Sequence, residues 1–430
     1  MMSAIRLLCI GLALVFTASG CAFLKLKKEV AGLESTAGLG GVIRSQAPVQ
    51  GKILVFLSTQ KDGRKEIQQM TFLEDEGIYL FLVTAGVYHI SAFMDVNGDL
   101  QYDDGEPAAY SIDPIVMQPP KHGPNDETNL ELSPHAQLPH GFPRSMQFAV
   151  SAVGTNVLKA GIVVDLNDNM FSLDNARMGL WKPLTFTKRF GAGVYFLEPY
   201  DKNKIPILFI HGAAGTPRHF QYLAQFIDRE KYQPWFYYYP SGIQLDHLGD
   251  ALNYLVTYLH DRYRFERLYV TAHSMGGLVA RSFILKNHFQ DHQRCIRLFV
   301  SISTPWGGLE TAAKGIESAP AAIPSWHDVV PDSPFIRGLF QRQLKPEIPY
   351  FLFFSYKGEC SLFMDNNDGA VSLSGALDLR AQEDAVQVVG FDEAHVDILY
   401  SPLVLKKYKE ILAEADRRDR PVLKLFGQQD

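Results

Sequence analysis

The sequence predicts an α/β fold, a mostly parallel sheet with helices on both faces, preceded by a smaller N-terminal β-sandwich domain. From residue 205 onward, short apolar runs alternate with stretches of helical spacing, the pattern of a sheet buried on both sides. Between residues 48 and 135, runs rich in β-branched and aromatic residues are separated by turn-forming stretches. The length agrees, since 430 residues exceed what one hydrophobic core usually organises. A composition of 47% hydrophobic and 20% charged residues supplies ample core material. The formal net charge of -6 offers no basic field for neutralising phosphates, which excludes nucleic acid as a partner.

Taken in order, residues 1–21 read as an export signal: Arg6, an apolar run over 7–16, then Thr17, Ala18, Ser19, Gly20 and Cys21. The run is too short to span a bilayer, which takes about twenty residues. Ala18-Ser19-Gly20-Cys21 resembles the lipobox of bacterial lipoproteins, with Ala18 where that family prefers Leu. The resemblance implies cleavage before Cys21, lipidation of that cysteine, and an exported protein anchored to a bacterial membrane of the cell envelope. Lys25, Lys27 and Lys28 suit either anionic headgroups or a solvated tether. Residues 22–47, rich in Gly, Ala, Ser and Lys, read as a flexible linker.

Within 48–135, strands are expected at 52–58, 78–83 and 86–94. A Pro-rich stretch at 119–124 breaks the pattern. Residues 136–200 form a β-rich connecting segment, with runs at 146–153 and 160–165, that composition assigns to neither neighbour. Residues 201–420 make the α/β domain. Its strands are expected at 205–210, 235–239, 267–272, 296–302, 350–356 and 385–390, with a helix over 244–263 carrying Leu245, Leu248, Leu252, Leu255, Val256 and Leu259 on one face. Cys9 lies in the signal and Cys21 ends it. Cys295 and Cys360 fall at opposite edges if their strands are parallel, too far apart to bridge.

The chemistry centres on Val270-Thr271-Ala272-His273-Ser274-Met275-Gly276-Gly277, between a strand and the helical run 278–286. It resembles the nucleophile elbow of the α/β-hydrolase superfamily, with Ala272 at the first Gly of G-x-S-x-G. Small neighbours are needed because the turn holds Ser274 strained where strand and helix meet. Upstream, the strand into His211-Gly212-Ala213-Ala214-Gly215 resembles the loop such hydrolases set beside the nucleophile. The resemblance implies Ala213 and Met275 as oxyanion-hole amides and a structural role for His211. The base and acid should follow in the order Ser, acid, His. Of His288, His292, His327 and His395, only His395 follows the last strand. Asp365 and Asp368 compete for the acid, with Glu359 behind them.

Asn366-Asn367-Asp368-Gly369-Ala370-Val371 resembles the Asn-Asp-Gly-x-Val segment of bacterial triacylglycerol lipases, which implies Asp368 as the acid. Ser303-Thr304-Pro305-Trp306-Gly307-Gly308 resembles a segment shared by lipases and the GPI-inositol-deacylase-like group. These resemblances imply a carboxylic ester hydrolase acting on lipid-like substrates and needing no organic cofactor. The same residues would also serve an acyltransferase, and the rival from another class is a surface binding or scaffold protein. Residues 309–349 read as a cap insertion. Its Trp326, Phe335, Ile336, Leu339 and Phe340 suit either an acyl pocket or simple packing onto the body.

Asp397 matches the position of a lipase calcium ligand, but no second aspartate partners it. Separately, Asp95, Asn97, Asp99 and Glu106 fall at calcium-loop spacings. Leu100 stands where an EF-hand needs Gly, leaving a different Ca²⁺ loop or an acidic hairpin turn.

Overall fold

A computed structural model describes residues 20–119, 128–145, 157–318, 321–358 and 366–418. The first eight strands are β1 (Ala37–Ser45), β2 (Lys52–Lys61), β3 (Arg64–Leu73), β4 (Gly77–Val83), β5 (Gly86–Asp95), β6 (Ala108–Tyr110), β7 (Ile115–Met117) and β8 (Leu130–Leu132). They form a sheet of order β4-β1-β8 and another of order β3-β2-β5-β6, with β7 on β5. Leu39, Ile43, Tyr79 and Phe81 of the first sheet share one apolar core with Ile53, Val55, Ile90 and Met94 of the second. Strand β3 escaped the sequence reading because its polar alternation offers the core a single face.

The expected linker over 22–47 is not one. A helix spans Gly20–Glu34 and β1 follows at once. The helix docks on the body: Leu26 is buried, the Glu29 carboxylate accepts the amide and hydroxyl of Thr185, and Gly32 faces Leu184. The β1 glycines that suggested flexibility answer to close packing instead. A methyl at Gly40 would overlap the Tyr79 carbonyl, and one at Gly41 would stand 2.7 Å from the Thr128 carbonyl oxygen. Residues 1–19, with Ala18 and Ser19 of the lipobox-like segment, lie outside the described residues, as does the side chain of Cys21.

The main sheet contains β9 (Leu158–Val163), β10 (Ala192–Phe196), β11 (Ile205–Ile210), β12 (Tyr232–Tyr238), β13 (Leu268–His273), β14 (Ile296–Ile302), β15 (Tyr350–Ser355) and β16 (Gln387–Phe391), in the order β16-β15-β14-β13-β11-β12-β10-β9. Strands β11 to β16 run parallel, and β10 lies antiparallel to β12. The sheet therefore takes in residues 158–196, which the sequence left unassigned; the run 146–153 lies outside the described residues. Two faces follow from strand alternation. Val270 and Ala272 of β13 pack among Leu248, Leu252, Leu255 and Leu259 of the helix Leu245–Tyr263. Tyr269 turns the other way, toward Tyr408 and Ile411 of the helix Pro402–Arg418, and its hydroxyl donates to buried Asp416 at 2.8 Å.

The insertion forms short helices at Glu310–Ser318, Pro324–Val329 and Pro334–Leu339. Ile336 and Leu339 are buried in the main core, with Trp326, Phe335 and Phe340 packed against it, so these residues fasten the insertion to the body. A buried ion pair reinforces the attachment. Arg281, on the helix Met275–Ile284, meets Asp384 at 2.7 Å and donates from Nε to the Leu339 carbonyl, while Asp384 accepts the Leu344 and Lys345 amides. Cys295 is a buried free thiol; Cys360 lies outside the described residues. Among the described residues no helix is long and apolar enough to cross a membrane.

Candidate active site

Ser274 stands between β13 and the helix Met275–Ile284 at φ 56°, ψ -136°, a conformation costly for a residue with a side chain. The surrounding sequence makes room for it. A Cβ on Gly212 would lie 2.6 Å from that of Ser274, and methyls on Gly276 and Gly277 would overlap the His211 carbonyl and the Thr304 side chain. Ala272 is fully buried within β13, where a methyl is accommodated. The Ser274 amide donates to Ile302 of the neighbouring strand at 2.8 Å, which fixes the turn to the sheet.

The structure brings Ser274, His395 and Asp368 into one hydrogen-bonded chain. His395 Nε2 lies 2.9 Å from Ser274 Oγ, and His395 Nδ1 lies 2.7 Å from Asp368 Oδ2. Asp368 is buried but fully engaged. Its Oδ2 also accepts the Ser355 hydroxyl at 2.6 Å, and its Oδ1 accepts the amides of Ala370 and Val371. Burial pushes this carboxyl up; the charge interaction with His395 and the hydrogen bonds outweigh it, leaving the pKa below the ordinary carboxylate value. A carboxylate only accepts, so Nδ1 carries the proton and the Nε2 lone pair faces Ser274.

His211 takes no part in that chain. Its Nδ1 lies 2.8 Å from the Gly212 carbonyl, its ring stacks on Tyr239 with centroids 4.2 Å apart, and burial lowers its pKa to about 3. The loop beyond it is held by the Ala214 amide on Ser241 Oγ at 3.0 Å and by the Gly215 amide on the Gly212 carbonyl. Met275 opens its helix, where an N–H has no intrahelical acceptor, and Ala213 is exposed beside Gly212. Asp365 and Glu359 lie outside the described residues. His288 lies elsewhere, beside Glu347 and Arg294.

Sequence reasoning missed two groups. Ser355, at the end of β15, lies within 2.6 Å of both Asp368 and Ser303 Oγ. His273, immediately before Ser274, holds the backbone of His395 from 122 residues away.

The acidic loop of the N-terminal sheets is a closed turn. Asp95 accepts the amides of Gly98, Asp99 and Leu100, Asp99 accepts that of Gln101, Glu106 accepts those of Val96 and Asp103, and the Asn97 side-chain amide donates to Asp103. Its oxygens serve backbone amides, and among the described residues no group of three or more His, Cys, Asp or Glu side chains is placed to hold a metal.

Residues 201–330 match a family model described as "Putative serine esterase (DUF676)". No curated protein matches the sequence. Among solved structures, the chain is similar to the lin2722 gene product of Listeria innocua, at 18% identity over 49% of this chain and 94% of that one, with a TM-score of 0.38. It is also similar to the mature lipase BlEst2 of Bacillus licheniformis (15% identity, 51% and 97% covered, TM-score 0.41) and to Est1E from Butyrivibrio proteoclasticus (15% identity, 53% and 94% covered, TM-score 0.37).

Proposed function

We propose that this chain of α/β-hydrolase fold is a serine hydrolase that cleaves carboxylic esters, with lipid-like esters as its substrates. The observation that carries the reading is the continuous chain from Ser274 Oγ through His395 to Asp368. The family match spans Ser274 and supports the same chemistry.

In this reading His395 Nε2 takes the proton of Ser274 as Oγ bonds to the ester carbonyl carbon. The amides of Ala213 and Met275 stabilise the oxyanion. The tetrahedral intermediate then collapses, the ester C–O bond breaks, and His395 returns the proton to the departing alcohol. Water, deprotonated by the same imidazole, attacks the acyl-serine and releases the acid and free Ser274. Asp368 keeps the imidazole in the required tautomer and balances its charge while it is protonated. No step uses a metal or organic cofactor. Around this body we read the two N-terminal sheets as a sandwich domain and Cys21 as the site of a lipid anchor.

The test is intact-mass analysis after treatment with a fluorophosphonate, comparing wild type with Ser274→Ala and His395→Ala. A single adduct on wild type, absent from Ser274→Ala and greatly slowed in His395→Ala, is expected. Equal labelling of Ser274→Ala would refute the assignment.

A further inference from the structure

We infer that His273 is a positioning residue for the proposed hydrolysis, its Nε2–H gripping the main-chain carbonyl of His395 so that the imidazole stays aimed at Ser274. The inference rests on the functional reading above and adds a residue to it. His273 Nε2 lies 2.7 Å from the His395 carbonyl oxygen. A carbonyl only accepts, so this nitrogen carries the proton and the tautomer of His273 is fixed.

The bond matters because of where His395 sits. It lies in the irregular stretch between β16 and the short helix Asp397–Tyr400, without a ladder to hold it. Its own amide donates to the Asp368 carbonyl at 2.9 Å, tying that side of the residue to the acid loop. His273 ties the other side to β13. His273 and Ser274 are consecutive, so the residue that holds the base's backbone is joined to the nucleophile by a single peptide bond. A shift of the strand end carries both together and leaves the Ser274–His395 separation unchanged.

The same ring must also stay uncharged. Its centroid is 4.8 Å from that of His395, where a second cation would oppose protonation of the base. Complete burial, and then the nearness of His395, hold the His273 pKa well below the ordinary histidine value. An arginine or lysine could donate the same bond but would bring the charge. A neutral donor of this reach meets both requirements.

The test uses three variants of the full chain, each checked for folding by thermal melt. In His273→Gln the amide nitrogen stands the same number of bonds from Cα as histidine Nε2. His273→Asn offers the same amide one carbon short, and His273→Phe offers a ring without a donor. The readouts are kcat and KM on a short-chain p-nitrophenyl ester and the rate of fluorophosphonate labelling per folded molecule. His273→Gln should stay within about threefold of wild type. His273→Asn and His273→Phe should lose about 10- to 100-fold in kcat and labelling rate, the scale expected when a reacting group is misplaced by an ångström or less, with KM little changed. Wild-type rates in His273→Phe, or a folded His273→Gln as slow as His273→Asn, would overturn the role. A wild type that neither labels nor turns over would remove the functional reading itself, and this role with it.

Discussion

Asp368→Asn changes one atom of a side chain whose surroundings dictate how the amide must sit. The Asp368 Oδ1 position accepts two backbone N–H groups, from Ala370 at 3.0 Å and Val371 at 2.8 Å, so the carbonyl oxygen of Asn occupies it. The amide nitrogen is thereby forced into the Oδ2 position, 2.7 Å from His395 Nδ1. Two donors cannot share a hydrogen bond. The imidazole relieves the conflict by moving its proton to Nε2, which then presents N–H instead of a lone pair to Ser274 Oγ. Inverting the tautomer in a comparable triad lowers kcat about 10⁴-fold, equivalent to about 5 kcal/mol of transition-state stabilisation. The assay is steady-state hydrolysis of a soluble short-chain ester, with a thermal melt to establish folding. KM should change little, because Asp368 is buried behind His395 and meets no substrate. A folded variant with kcat within tenfold of wild type would refute the tautomer argument.

Other outcomes test the frame around the site. Removing the Asp384 carboxylate in Asp384→Ala strands the Arg281 guanidinium in a pocket where both side chains are almost wholly buried, and should cost about 3–5 kcal/mol by urea denaturation. Arg281→Met with Asp384→Leu should cost clearly less than the two single changes added together; strict additivity would show that the ions do not interact. Gly276→Ala drives a methyl into the His211 carbonyl, so the elbow and the neighbouring loop must separate. Its kcat should fall about 100-fold with only a modest drop in melting temperature, and unchanged turnover would contradict the packing described. Burial raises Asp328 to about 6. Because this carboxyl binds its proton more tightly folded than unfolded, its contribution to stability is greatest below about pH 4 and is lost as pH rises to about 6. Asp328→Asn should flatten that part of the stability profile, and an unaltered slope would count against the raised value.

The most legible features were those whose physics is local. A strained serine between a strand and a helix needs small neighbours, and Ala272, Gly276 and Gly277 leave that requirement in the sequence. Chain order singled out His395, and the turn-forming Asn367-Asp368-Gly369 marked the loop that delivers a carboxylate beside it. His273 was illegible for the opposite reason. Its partner is a backbone carbonyl 122 residues away, and a carbonyl has no sequence signature. The glycines of β1 misled because one residue type answers two needs, freedom in a linker and close approach between strands. Strand β10 is short and begins Ala-Gly, a weak signal beside the apolar run of β11. The apolar residues of the 309–349 insertion were readable as apolar, but composition does not distinguish a pocket wall from a packing face.

The docked helix Gly20–Glu34 bears on where such an enzyme could work. From Cys21 to Glu34 it rises only about 20 Å, and Leu26, Glu29 and Gly32 hold it against the body along the way. A lipid on Cys21 would therefore act as a short bracket instead of a leash. The catalytic face would be kept at a set height and tilt above the bilayer, working on esters in the leaflet that bears it and sparing those on facing vesicles. Efficient hydrolysis of esters confined to separate vesicles by the anchored protein would speak against that geometry.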